Sequence, residues 1–274
     1  MINNRFNNNA SLTSIVKLNK AQFEPWVENM DIIEALSRGP ARYPSERLQF
    51  RACAKIKSHT LHKEVDIDGE GNAKLYKAAE IDHRTVFAYP EPLSIEVNTG
   101  MFNGTKELLR TELSGVISKS RMSLYTPDLA VIQRGNVVKF YEQKAPDYID
   151  VWDEKLLRAK AWLERYGSSL TVVSSNYIRL TALQWNVGPL HDLKDPRVRA
   201  RYDTVDREEL VRLLERQGET MSLKAVADEL RVSQISVLFP LLDGVIATDL
   251  FKYELNDATP IWVAKDKSHL KLIP

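Results

Sequence analysis

Apolar residues recur at three- and four-residue steps from Phe23 through Trp26, Met30 and Ile33 to Leu36, the spacing of one helix face. Gly39, Pro40 and Pro44 then break the pattern, and Ser45 stands where an N-cap opens a second helix, from Glu46 to about Lys57. Between His59 and Ala88 the chain turns polar. Asp68-Gly69-Glu70-Gly71-Asn72 separates Val65-Asp66-Ile67 from Lys74-Leu75-Tyr76 and predicts a hairpin insertion. Leu93 to Val97 alternates apolar and polar as a strand does, and a short helix is expected over Lys106 to Ile117.

The clearest strands follow. Leu129-Ala130-Val131-Ile132 and Val137 to Lys144 are joined by Arg134-Gly135-Asn136, a short Gly-containing link that closes an antiparallel hairpin. A helix from Val151 to Tyr166, with Trp152, Leu156, Ala159 and Leu163 on one face, ends at Gly167. Leu170-Thr171-Val172-Val173 reads as a strand buried on both faces. This order of elements predicts an α/β fold with a mixed central sheet flanked by helices.

From Pro189 to Arg201 the pattern fades into a polar linker, so a domain boundary is expected near residue 200. The predicted organisation is a flexible Asn-rich tail over 1–12, a first domain over 13–200 and a second over 201–274. Met221 to Val237 reads as a helix-turn-helix. Ser222 caps its first helix, Ser233 caps its second, Ala227, Leu230, Ile235 and Leu238 face inward, and Arg231 occupies the turn where Gly is commoner. Val245 to Leu255 with Ile261-Trp262-Val263 would supply a wing, completing a winged helix.

Composition narrows the function. Apolar residues are 43% and charged residues 27% of 274, the balance of a folded domain rather than a disordered chain. The sequence has no long apolar run and no signal-peptide core in MINNRFNNNA, so a cytoplasmic protein without membrane partners is expected. One cysteine, Cys53, excludes an internal disulfide, and no Cys/His spacing suits zinc. The net charge of +1 gives no global mark of a nucleic-acid binder; residues 1–62 hold 9 basic and 5 acidic side chains, the one basic quarter.

Chemistry enters with Pro127-Asp128, followed after thirteen residues by Glu142-Gln143-Lys144. Residues i and i+2 of a strand share a face, so Glu142 and Lys144 project together while Gln143 points away, and a hairpin partner brings Asp128 alongside. Two carboxylates and an ammonium then converge. Asp128 and Glu142 are hard oxygen ligands suited to Mg²⁺, with Mn²⁺ as the alternative ion, and the Gln143 carbonyl is a further ligand candidate. Lys144 can orient a water or steady a phosphoryl transition state. These are the parts of a metal-dependent phosphodiester hydrolase.

Tyr125-Thr126-Pro127-Asp128, Tyr141-Glu142-Gln143-Lys144, the Lys- and Arg-rich helix after them, and Thr171 to Ile178 resemble the TnsA endonuclease family of heteromeric bacterial transposons. Pro90 to Ile95 resembles the family's strand before its first metal-binding Asp, and Ser45-Glu46-Arg47 its acid-bearing helix start. The resemblance spans about residues 38 to 180. It implies a restriction-endonuclease-like fold and Mg²⁺-dependent cleavage of double-stranded DNA at the 5′ sides of transposon ends. An RNase H-type transposase would cut the other strand, and an AAA+ ATPase would engage the carboxy-terminal domain over residues 204–274. It further implies metal-binding and catalytic roles for Asp128, Glu142 and Lys144, and for Glu46, to which Glu80 is the rival. Three other readings stand beside it: a phage- or defence-associated nuclease of the same fold, a non-catalytic DNA-binding regulator, and a purely structural adaptor for an ATPase. The second predicted domain is slightly acidic and its second helix opens without Arg or Lys, which favours protein docking over DNA reading.

Overall fold

The structure, a computed structural model, describes residues 29–37, 53–149, 153–218 and 220–274. Along the chain run α1 (Asn29–Ser37), β1 (Cys53–Lys57), β2 (Glu64–Asp68), α2 (Glu70–Ile81), β3 (Thr85–Pro90), β4 (Ser94–Glu96), β5 (Phe102–Asn103) and α3 (Lys106–Leu113). Then come β6 (Leu124–Tyr125), β7 (Leu129–Gln133), β8 (Val137–Lys144), α4 (Glu154–Arg165), β9 (Ser169–Ser174), α5 (Asn176–Arg179), α6 (Leu183–Asp192) and α7 (Pro196–Arg199). The last elements are α8 (Arg207–Arg216), β10 (Thr220–Ser222), α9 (Leu223–Leu230), α10 (Gln234–Asp243), β11 (Ile246–Ala247) and β12 (Pro260–Val263). The fold is α/β, a mixed sheet flanked by helices. No helix among the described residues is long and apolar enough to cross a membrane.

The described chain divides into two compact units. The first holds residues 29–37, 89–142 and 153–172. Its centre belongs to the four-stranded sheet ordered β3-β7-β8-β9, and a second sheet runs β5-β4-β6. The β7–β8 hairpin is antiparallel with Leu129 opposite Tyr141 and Gln133 opposite Val137. Its link turns through Gly135 and Asn136, at φ 80° and 60°, the left-handed region that such residues tolerate at least cost. Ala130, Ile132, Val138 and Phe140 pack with Leu93, Ile95, Leu156, Ala159, Leu163 and Leu170 in one core. Helix α4 presents its predicted face to that core; Asp153 caps it by accepting from the Leu156 N–H at 2.7 Å. Trp152 lies outside the described residues.

The second unit holds residues 53–88, 143–149, 173–218 and 220–274. The boundary expected near residue 200 therefore falls inside it. Asn186 on α6 gives the physical reason: its amide donates to the carbonyls of Leu250 and Tyr253 at 3.0 and 2.8 Å, and its Oδ1 accepts from the Leu255 N–H at 2.9 Å. Buried Asp82 likewise accepts from the backbone of Leu272 and Ile273. Segments far apart in sequence thus share polar anchors that cannot be left unpaired.

Several elements differ from expectation. Residues 53–57, placed at the end of a helix, form β1, paired antiparallel with β2; Lys55 and Lys57 alternate with half-buried Ala54 and buried Ile56 at period two. The predicted hairpin after Gly69 is instead helix α2, which buries Ala73, Leu75, Tyr76, Ala78, Ala79 and Ile81. The linker before residue 200 is helical, with Pro189 within α6 and Pro196 opening α7. In β9, Leu170 and Val173 are buried while Thr171 and Val172 are half-buried, so the strand is not enclosed on both faces. Helix α3 stops at Leu113, short of Ile117.

The carboxy-terminal segment forms two helices, α9 and α10, with the sheet β10-β12-β11. Ser222 and Ser233 cap the helices as expected, accepting from Ala225 and Ser236 N–H at 3.1 Å each. Arg231 sits between them at φ 55°. Ile235, expected to face inward, is exposed, whereas Leu238 is buried.

Candidate active site

Asp128 and Glu142 both belong to the first unit and both are half-buried. Asp128 stands one residue before β7, after a proline that has no N–H to donate. Its own N–H donates to the Tyr141 carbonyl at 3.1 Å, and its carbonyl accepts from the Glu91 N–H at 2.9 Å. Strand β8 and the residue that follows β3 therefore hold its backbone. Glu91 makes that bond from a left-handed conformation, φ 43°, uncommon for a residue with a side chain.

Glu142 is oriented by a residue that motif reasoning passed over. The Tyr125 hydroxyl, on β6 of the second sheet, donates to Glu142 Oε2 at 2.8 Å. Tyr125 is buried, and burial, the charge of Glu142 with its hydrogen bond, and then the charges of Asp128 and Asp153 hold its pKa well above the ordinary tyrosine value. One phenol thus feels three carboxylates, from the start of β7, the end of β8 and the cap of α4. Asp153 is exposed and caps α4, yet it belongs to this electrostatic group. In the sequence Tyr125 stands two residues before Pro127, with nothing local to mark its bond to Glu142.

Gln143 and Lys144 follow Glu142 along β8 and fall in the second unit. The Lys144 carbonyl accepts from the Ser175 N–H at 2.8 Å. The Gln143 side chain lies over the first turn of α2: a Cβ added to Gly71 would sit 2.3 Å from Gln143 Oε1. A side chain at position 71 would displace the amide end of Gln143.

Glu46 lies outside the described residues. Its rival Glu80 is fully buried in the second unit. Its Oε1 accepts from Ser58 Oγ at 2.6 Å, Thr60 Oγ1 at 2.7 Å, the Thr60 N–H at 2.9 Å and the Tyr76 hydroxyl at 3.2 Å. Its Oε2 faces His191 Nε2 at 2.7 Å and accepts from the His59 N–H at 3.1 Å. Burial works to raise this carboxyl, but the bonds from His191, Ser58 and Thr60 outweigh it and hold the pKa far below the usual carboxylate range. With its lone pairs filled by donors, Glu80 anchors the end of β1 to α2 and α6; nothing is left for an ion.

Among the described residues no group of three His, Cys, Asp or Glu side chains is gathered as a metal centre would need. The candidate donors are two half-buried carboxylates, Asp128 and Glu142. That suits a hard ion which keeps several waters, as Mg²⁺ does with one or two carboxylates and substrate phosphate. No protein-family model and no curated protein sequence matches this chain.

Proposed function

We propose that the protein is a Mg²⁺-dependent DNA endonuclease of the restriction-endonuclease-like class, resembling TnsA and acting with a partner transposase at the 5′ sides of transposon ends. The observation that carries this reading is the Tyr125 hydroxyl bonded to Glu142 Oε2 at 2.8 Å, with the charge of Asp128 acting on the same phenol. The antiparallel β7–β8 hairpin and the helix α4 after it, in the expected order, support it further.

In this mechanism Asp128 and Glu142 would hold the ion, and Tyr125 fixes the orientation of Glu142 by donating to its Oε2. Bound Mg²⁺ supplies a more acidic water and neutralises charge on phosphoryl oxygens. Lys144, two residues beyond Glu142 on one strand, orients the attacking water and places a positive donor where charge develops on the phosphate. The Gln143 carbonyl is the remaining ligand candidate, and Glu46 the upstream acid.

The carboxy-terminal helices with their sheet are proposed as a winged helix that docks protein, the AAA+ ATPase of the resemblance. Helix α10 supports docking over DNA reading: Ser236 to Leu241 are all buried. At its exposed start, Gln234 donates to Asp257 at 2.9 Å. A reading helix would offer a free polar face to the major groove.

The test is cleavage of transposon-end duplexes by the reconstituted partners in Mg²⁺. Asp128→Ala and Lys144→Ala abolish cleavage while circular dichroism stays unchanged. Variants as active as the parent would remove the assignment.

A further inference from the structure

Thr220, Trp262 and Ala247 are paired across β10, β12 and β11, and directly paired residues share a face of the sheet. All three line one cavity of about 760 Å³ within the second unit, with Phe251 as a second aromatic wall. The charged residues around it are Glu215, Asp249, Asp266 and Lys265, all exposed. Three carboxylates against one ammonium leave the rim at −2.

Two of those carboxylates are already positioned. Asp249 Oδ1 accepts from the Phe251 and Lys252 N–H groups at 3.1 Å each, and Asp266 Oδ1 from the Ser268 N–H at 2.7 Å. In each, these bonds fall on Oδ1. A further group lines the cavity without a partner: Thr248 is fully buried, and its hydroxyl bonds to nothing among the described residues. A buried hydroxyl left unpaired costs free energy, and a ligand N–H placed against it would recover that.

We propose that this cavity receives an arginine side chain presented on an extended segment of a partner protein. A guanidinium is planar, stacks on an aromatic ring such as Trp262, and carries five N–H donors, enough to engage Thr248 Oγ1 and a rim carboxylate together. The cavity exceeds the volume of one side chain, so residues flanking the arginine enter with it. The rim charge attracts a basic segment and repels the phosphates of nucleic acid. This site holds or fails independently of the nuclease reading.

The experiment titrates the full-length ¹⁵N-labelled protein and follows the Trp262 indole N–H, assigned by its loss in Trp262→Phe. The probes are acetyl-Gly-Gly-Arg-Gly-Gly-amide, the same peptide with Lys or Gln in place of Arg, and a short DNA duplex. The Arg peptide shifts the resonance and saturates below about 5 mM. The Lys peptide binds about fivefold more weakly, and the Gln peptide and the duplex leave the resonance in place. Asp249→Asn with Asp266→Asn, which keeps both turn-forming oxygens, weakens the Arg peptide about tenfold. Equal response to Arg and Gln, equal affinity for Arg and Lys, no response to Arg, or a response to the duplex instead would each overturn the assignment. Because these comparisons are made on the unaltered chain, a variant that fails to fold does not rescue the proposal.

Discussion

The Tyr125 hydroxyl donates to Glu142 Oε2 at 2.8 Å, from a strand that pairs with β4 through Ile95. A phenol buried beside a carboxylate stays protonated, so it remains a donor across the physiological range. It thereby ties the carboxyl group of Glu142 to a rigid part of the first unit. Groups that orient a ligand often matter nearly as much as the ligand.

Tyr125→Phe separates orientation from stability. It removes one hydrogen bond at a cost of about 1 kcal/mol and leaves the ring's packing intact. Under the nuclease reading it lowers Mg²⁺-dependent cleavage and metal affinity by about 10- to 100-fold. Cleavage kinetics and urea unfolding measured side by side check this. A structural bond alone would move the second and spare the first.

Glu80→Gln removes the charge that six donors converge on, and is expected to destabilise the protein by about 3 kcal/mol in urea unfolding. The pH dependence has a definite sign. The folded carboxyl sits well below the ordinary range, so its contribution is complete above the unfolded value of about 4.3. It is lost as pH falls from there toward the folded value. Glu80→Gln flattens that acid limb. His59 acts in the same direction nearer neutrality: burial and His191 lower its pKa. Its share of stability is therefore present above about pH 6.5 and lost as pH falls, and His59→Gln reduces the loss between those limits.

Gly100→Ala tests the core of the first unit. Gly100 lies at φ 77°, and a Cβ there would come within 2.4 Å of the Trp162 ring. That ring cannot retreat freely: its Nε1–H donates to the Val97 carbonyl at 3.1 Å, and it stacks on Tyr166. A loss of about 2 kcal/mol or more is expected in chemical unfolding.

Arg231→Gly moves stability the other way. Arg231 closes α9 in the left-handed conformation, where a side chain is disfavoured by about 1 kcal/mol relative to glycine. A rise in the unfolding midpoint of the variant, with an unchanged denaturant slope, is the expected result.

Sequence pattern carried the elements whose burial follows one period. The β7–β8 hairpin, the apolar face of α4 and the two serine caps of α9 and α10 were all legible, because alternation, helical spacing and turn residues agreed there. Where they disagreed, tertiary structure decided. Residues 70–81 open beside Gly69 and Gly71, which read as a turn, yet the helix is held by the buried Glu80 and its amino-terminal turn lies against the Gln143 side chain. Those partners are distant in sequence, so no local signal reports them. The same holds for Asn186, whose ties to residues 250–255 place α6 with the carboxy-terminal segment. At the candidate site, Asp128 and Glu142 were named from spacing; the bond of Tyr125 to Glu142 and the cap formed by Asp153 were not, since they arise from a strand of another sheet and a helix start.

The most direct measurement of the central claim is Mn²⁺ binding, followed by electron paramagnetic resonance on the full chain without DNA or partners. The account predicts a bound ion in the parent, and its loss in Asp128→Asn and in Glu142→Gln, with the fold of both variants intact by circular dichroism. A parent that binds no ion, or variants that bind as tightly as the parent, would contradict it.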